Sequence, residues 1–202
     1  MRWRDIFHRN REAESPKETV VSDDIVPRFP KPSDRLASVI REVPGICEVL
    51  YLYKQRRGIS KEWIWWALDM VEKGLQTPGI LQLAGEDLTM NPFEFLSLAE
   101  TIFQELELDV TNDDAYYQYA LWVAHQALDG VITAEEGFKK LYHVALDTRY
   151  NKAFMEFYYR DEDAYRLRNY IPSLCSSDDT MREDNIEEWM HLFFEKLIKF
   201  NE

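Results

Sequence analysis

Cysteine, glycine, long apolar runs and positive charge are all scarce in this chain. Only two cysteines, Cys47 and Cys175, stand among 202 residues. Far apart in sequence, they supply neither a disulfide framework nor a metal knuckle, so reduced thiols in a cytoplasmic protein are expected. The seven glycines form no Gly-x-Gly-x-x-Gly and no phosphate-cradling loop closed by Gly-Lys-Ser/Thr. No apolar run approaches the length of about 18 residues that a spanning helix needs, so no integral membrane contact is expected. The first residues, MRWRDIFHRNRE, are basic and lack an apolar signal core, which argues against secretion. Sustained period-two alternation of β-branched residues is missing too, so no strand is expected.

Lysine and arginine number 24 against 37 aspartates and glutamates, for a net charge of −13. Such a surface repels nucleic acid, whose binding needs phosphates neutralised by cations. It attracts basic partners instead and speeds encounter with them. The charge is unevenly placed. Residues 1–60 carry 12 positive and 9 negative groups, residues 61–110 carry 2 and 10, and residues 111–202 carry 10 and 18.

What the chain does have is apolar and aromatic mass, 46% and 14% of its residues, which excludes a largely disordered polypeptide. Helical punctuation is dense. Residues 1–32 form a basic, proline-containing arm and linker, with Trp3, Ile6 and Phe7 as a short apolar patch and Pro27, Pro30 and Pro32 marking extended chain. Residues 33–202 form the helical domain. Ser33 opens a helix through Leu36, Val39 and Ile40. A second runs from Cys47 to Tyr53 and ends near Gly58, with Lys54, Arg56 and Arg57 complementing its dipole.

The chain is organised around residues 63–109. Ser60 is placed to cap a helix on which Ile64, Leu68, Val71 and Leu75 share one face. Trp63, Trp65 and Trp66 cannot all join that face, so this helix sits centrally; its tryptophans are core, or else an exposed anchor for a partner. Thr77-Pro78 starts a short helix that stops at Gly85, read as a left-handed terminal residue. Asn91-Pro92 with Glu94 matches a capping box, and Phe95, Leu98, Ile102, Phe103 and Leu106 continue at helical spacing. Asn112, Asp113 and Asp114 start a helix that ends at Gly130. Thr133 with Glu136 is a second capping box. Further helical patterns follow through Phe154, Phe157 and Tyr158, and through Ile186, Trp189, Met190, Phe193, Leu197 and Phe200, with a Pro172–Ser177 loop between. The expectation is a single all-α domain of about eight helices.

Catalytic patterns are weak. Glu188 and His191 make one Glu-x-x-His step, whereas a carboxylate-bridged di-iron bundle needs two. Asp161, Glu162 and Asp163 read as a solvated turn, since an EF-hand requires a longer ordered ligand pattern. Neither cysteine has a neighbouring motif that marks a nucleophile. No metal and no cofactor is expected. His125 and His143, on neighbouring helices, are the one pair around which an enzyme site could assemble, and they define an alternative reading.

The run Ala67-Leu68 … Gly74 … Thr77-Pro78 … Leu81 … Leu83-Ala84-Gly85, followed by Glu105-Leu106, resembles a pattern of uncharacterised small bacterial all-α proteins. Tyr119-Ala120 … Leu128-Asp129-Gly130 … Glu136-Gly137 … Phe157-Tyr158 looks like its continuation, so the likeness covers residues 64–160. Those proteins are similar in style to immunity proteins of bacterial toxin systems. The resemblance carries over no catalytic residue. It implies a non-catalytic bacterial cytosolic protein-binding module that neutralises a basic toxin domain. Glu86, Asp87, Glu94, Glu100, Glu105 and Asp109 are the candidate partner-binding residues, chosen because an acidic inhibitor can occupy a basic substrate groove with steered association. A helical structural or regulatory homo-oligomer, formed through the tryptophan cluster, is the other alternative.

Overall fold

The computed structural model describes residues 18–110, 113–171 and 180–202, and every regular element among them is helical. The α-helices are α1 (Asp34–Glu42), α2 (Ile46–Lys54), α3 (Lys61–Glu72), α4 (Pro78–Ala84), α5 (Pro92–Glu105), α6 (Asp114–Leu128), α7 (Ala134–Asp147), α8 (Met155–Arg168) and α9 (Ile186–Asn201). Single 3-10 turns at Asp23–Ile25, Lys152–Phe154 and Glu183–Asn185 punctuate them.

Four of the nine described α-helices start on a side-chain cap. The Ser33 hydroxyl accepts from the Leu36 amide and the Thr77 hydroxyl from the Ile80 amide, with Pro78 at the first helical position where it forfeits no bond. At α7 the box is complete: Glu136 N–H donates to Thr133 Oγ1 at 3.1 Å and Thr133 N–H to Glu136 Oε2 at 2.8 Å. A second carboxylate reaches this end from α9, where Glu187 accepts from the Ala134 and Glu135 amides at 2.6 and 3.0 Å.

Several local expectations are corrected. Asn91 caps α5 by accepting from Phe93 N–H at 2.9 Å, and no reciprocal bond from Glu94 closes a box, so Glu94 is left exposed. Gly85 is right-handed at φ −97, because its amide and that of Glu86 fold back onto the Gln82 and Leu83 carbonyls in a tightened last turn. Ser60 occupies the position before α3, yet its side chain accepts from no helix amide. At α6 the capping position is Asp113, which also makes no side-chain cap bond, and Asn112 lies outside the described residues.

The buried face of α3 is Trp63, Trp66, Ala67 and Met70. Ile64, Val71 and Leu75 lie half-buried at its edge and Leu68 is exposed. Two apolar stripes compete on this helix, and the one holding two indoles hides more surface from water. Asp161, Glu162 and Asp163 lie within α8, where Asp163 is fully buried with Oδ2 at 3.8 Å from Arg160 Nη1. Arg160 also meets Glu156 at 3.3 Å and stacks over Trp189, its guanidinium carbon 5.1 Å from the ring centroid. The residues around Cys175 and the Pro172–Ser177 loop lie outside the described residues.

Two aromatic cores result. One, among α1 to α5, centres on Trp63, which meets Phe95 edge-on at 4.9 Å and Trp66 at 6.0 Å. The other, among α6 to α9, centres on Phe138, packed against Phe194 at 4.9 Å and Phe193 at 5.2 Å. The last helix buries Ile186, Trp189, Met190, Phe193 and Leu197 as its spacing predicts, and Phe194 with them.

Tyr51 of α2 joins the cores. Its ring stacks on Tyr119 of α6 at 4.1 Å and 10°, and its hydroxyl donates to Asp147 of α7 at 2.8 Å. Burial and the Asp147 carboxylate push the Tyr51 pKa well above the ordinary phenol range, so the hydroxyl keeps its proton. Trp122 packs against both cores.

Residues 18–32 run along α9 as a strap. Val21 and Val26 are buried, Lys196 donates to the Val21 carbonyl, and Phe29 N–H donates to Asn201 Oδ1 at 2.6 Å. The Phe29 ring stacks on Tyr117 at 5.1 Å. Trp3, Ile6, Phe7 and the basic residues around them lie outside the described residues.

Candidate functional site

The six acidic candidates line the α4–α5 half of the molecule and play different parts there. Glu105, in the last turn of α5, accepts from the Gly79 amide at 3.0 Å. That carboxylate meets the start of α4, where orphan amides and the helix dipole favour negative charge. Glu100 accepts from the Tyr53 hydroxyl at 3.3 Å; burial first, then the Glu100 charge, raises the Tyr53 pKa. Asp87 accepts from the amide and hydroxyl of Thr89 at 2.7 and 2.5 Å, and those two bonds hold its pKa below the usual carboxylate range. Glu86 accepts from Gln82 Nε2 at 3.3 Å. Asp109 is exposed beyond α5, close enough to Lys54 to oppose the lowering of that lysine's pKa by burial.

Glu94 and Glu105 border a groove of about 480 Å³ between α4 and α5. Pro78, Gly79 and Gln82 form its α4 wall, and Ser97 and Thr101 its α5 wall. The same two helices and the turn between them expose large apolar side chains: Leu81 on α4, Leu88 in the turn, and Phe93, 83% exposed, at the start of α5. Of the tryptophan cluster, Trp63 and Trp66 are core and only Trp65 faces outward, 57% exposed with Lys61 over its ring at 4.9 Å.

The two helical histidines occupy different settings. His125 is paired with Glu202, Nε2 to Oε1 at 3.1 Å, beside a cleft between α1 and α6. His143 is exposed on α7, its ring edge-on to Tyr142 at 5.5 Å. Glu188 accepts from the Thr19 hydroxyl at 2.9 Å while His191 Nδ1 lies 3.6 Å from Glu195, so the Glu-x-x-His step is divided between separate partners. His8 lies outside the described residues. Among the described residues no group of three or more His, Cys, Asp or Glu side chains is placed to hold a metal ion, and no helix is long and apolar enough to cross a membrane. The Cys47 thiol is buried, which pushes its pKa up to about 12 and keeps it neutral and unreactive.

Sequence reasoning did not single out Gln118 or the strap residue Phe29, both of which line the α1–α6 cleft. A lone polar residue among the apolar positions of α6 was the available signal for Gln118. No family model, no curated protein and no solved structure matches the chain.

Proposed function

We propose that this chain is a protein-binding module that takes a basic partner surface on the α4–α5 face. The observation that carries this reading is the groove itself. Two carboxylates border a concavity of side-chain size, and exposed Phe93, Leu88 and Leu81 lie on the same helices and the turn joining them. An Arg or Lys stem can lie along apolar surface while its head meets Glu94 and Glu105. Aromatic and aliphatic anchors on the same helices supply the desolvated contact area that interfaces need. The acidic field over residues 61–110 supports steered association with a positively charged partner. A nucleic-acid-cleaving toxin domain, basic at its substrate groove, is the partner class this chemistry fits best, which makes an immunity role the specific form of the proposal.

The test uses Glu86→Lys and Glu94→Lys together, because neither side chain holds a helix end, whereas Glu105 and Asp87 do structural work in α4 and its following turn. The double variant should keep the helical signal and weaken the binding of an Arg/Lys-rich peptide, and its residual binding should respond less steeply to salt. Unchanged affinity and salt slope would remove this face from the account.

A further inference from the structure

A cleft of about 940 Å³ lies between α1, α6 and the end of α9, and shares no lining residue with the α4–α5 groove. That volume falls in the range of small-molecule sites. Its walls are mostly apolar: Ala37 and Ile40 from α1, Leu121 and Trp122 from α6, and Phe29 from the strap. Cys47 lines it as a neutral thiol, with no reactive thiolate to capture a ligand covalently.

One polar group in this lining is unexplained. Gln118 is 6% exposed, and its Nε2 has no hydrogen-bond partner. A buried amide nitrogen carries two donors, and leaving them unpaired costs their full desolvation. An acceptor brought in by a bound molecule would satisfy them. The charged groups around the cleft are of mixed sign: Lys31 and Arg41 are offset by Asp34 and Asp129, and His125 is already paired with Glu202. The lining therefore selects for an acceptor oxygen beside an apolar body more than for a net charge.

We propose that this cleft binds a small molecule with a flat apolar body and a carbonyl-type oxygen, the oxygen accepting from Gln118 Nε2 and the body lying against Trp122. The site is separate from the α4–α5 groove and does not depend on the docking function proposed for it. Three probes share a ring system and differ in the acceptor: 2-naphthoate, 2-naphthamide and 2-methylnaphthalene. They are titrated into the full chain and followed by amide chemical shifts.

The expected result is saturable binding of an oxygen-bearing probe, with shifts concentrated in α1 and α6. Naphthoate bound more tightly than naphthamide assigns a carboxylate ligand; equal binding assigns a neutral carbonyl. Gln118→Leu should weaken that probe about tenfold, the loss of one buried hydrogen bond, without lowering the melting temperature, because an unpaired buried amide is removed. Ala37→Trp should abolish binding by filling the cleft. Shift mapping on the unaltered chain reads the site even where Ala37→Trp fails to fold. Three results would each overturn the proposal: no binding by any probe, shifts lying elsewhere, or 2-methylnaphthalene bound as tightly as the oxygen-bearing probes.

Discussion

Gly137 offers a sharp test of how α7 meets α9. A Cβ built there would lie 2.8 Å from Phe194 Cε2 and 2.9 Å from its Cζ. The ring cannot easily retreat, since Phe194 is fully buried with Phe138 against it at 4.9 Å. On helix propensity alone, Gly137→Ala inside α7 should stabilise by about 1 kcal/mol. Overpacking a filled core costs about 1–3 kcal/mol, so the expected net change is a loss of about 1 kcal/mol. Shrinking the ring with Phe194→Leu removes the obstruction, and in that background Gly137→Ala should stabilise. The resulting coupling, about 2 kcal/mol, lies in the range seen for residues in contact. Urea unfolding followed by circular dichroism reads all four proteins, with equal slopes confirming that stability alone has changed. Additive effects, or a single Gly137→Ala that stabilises, would refute the packing described between these helices.

Other expectations follow from individual contacts. Gly85→Ala should raise stability by about 0.4–1 kcal/mol, since φ is −97 and the nearest atom to a new Cβ is 3.5 Å away; a loss in urea unfolding would restore the left-handed reading. Glu187→Gln weakens the carboxylate clamp on the α7 amides and should cost about 1 kcal/mol in the same assay. Tyr170, exposed with φ +56 after α8, should gain about 1 kcal/mol on replacement by Gly, which occupies that conformation freely. Burial raises the Glu48 pKa above 4.5 in the folded state. The folded chain thus prefers the protonated form, and stability falls as pH rises from the unfolded pKa through the folded one. Glu48→Gln should stabilise at pH 7 and lose that advantage below about pH 4.5; an advantage that persists in acid would contradict the assignment.

The helix boundaries were legible because capping chemistry is local. Ser33, Thr77 and Thr133 each satisfy an amide three positions ahead, within the reach of a sequence pattern. The orientation of α3 was not, because Trp63, Trp65 and Trp66 put apolar mass on several faces and only tertiary packing chooses among them. Asp163 reads as a solvated acid until Arg160 is seen beside it in the core. Acidic density in the α4–α5 region was visible from charge alone. The structural duty of Glu105 was hidden, since its partner amide at Gly79 lies 26 positions away. The α1–α6 cleft is assembled from the strap, two helices and the last residues, and no local pattern marks such a surface.

The most direct test of the docking account is an amide chemical-shift titration of the full chain with an Arg/Lys-rich peptide, and with its Asp/Glu counterpart, at low and moderate salt. The account predicts shifts for the basic peptide alone, confined to α4, α5 and the turn between them, fading as salt rises and reduced by Glu86→Lys with Glu94→Lys. Shifts scattered over the surface, or the same for both peptides, would contradict it.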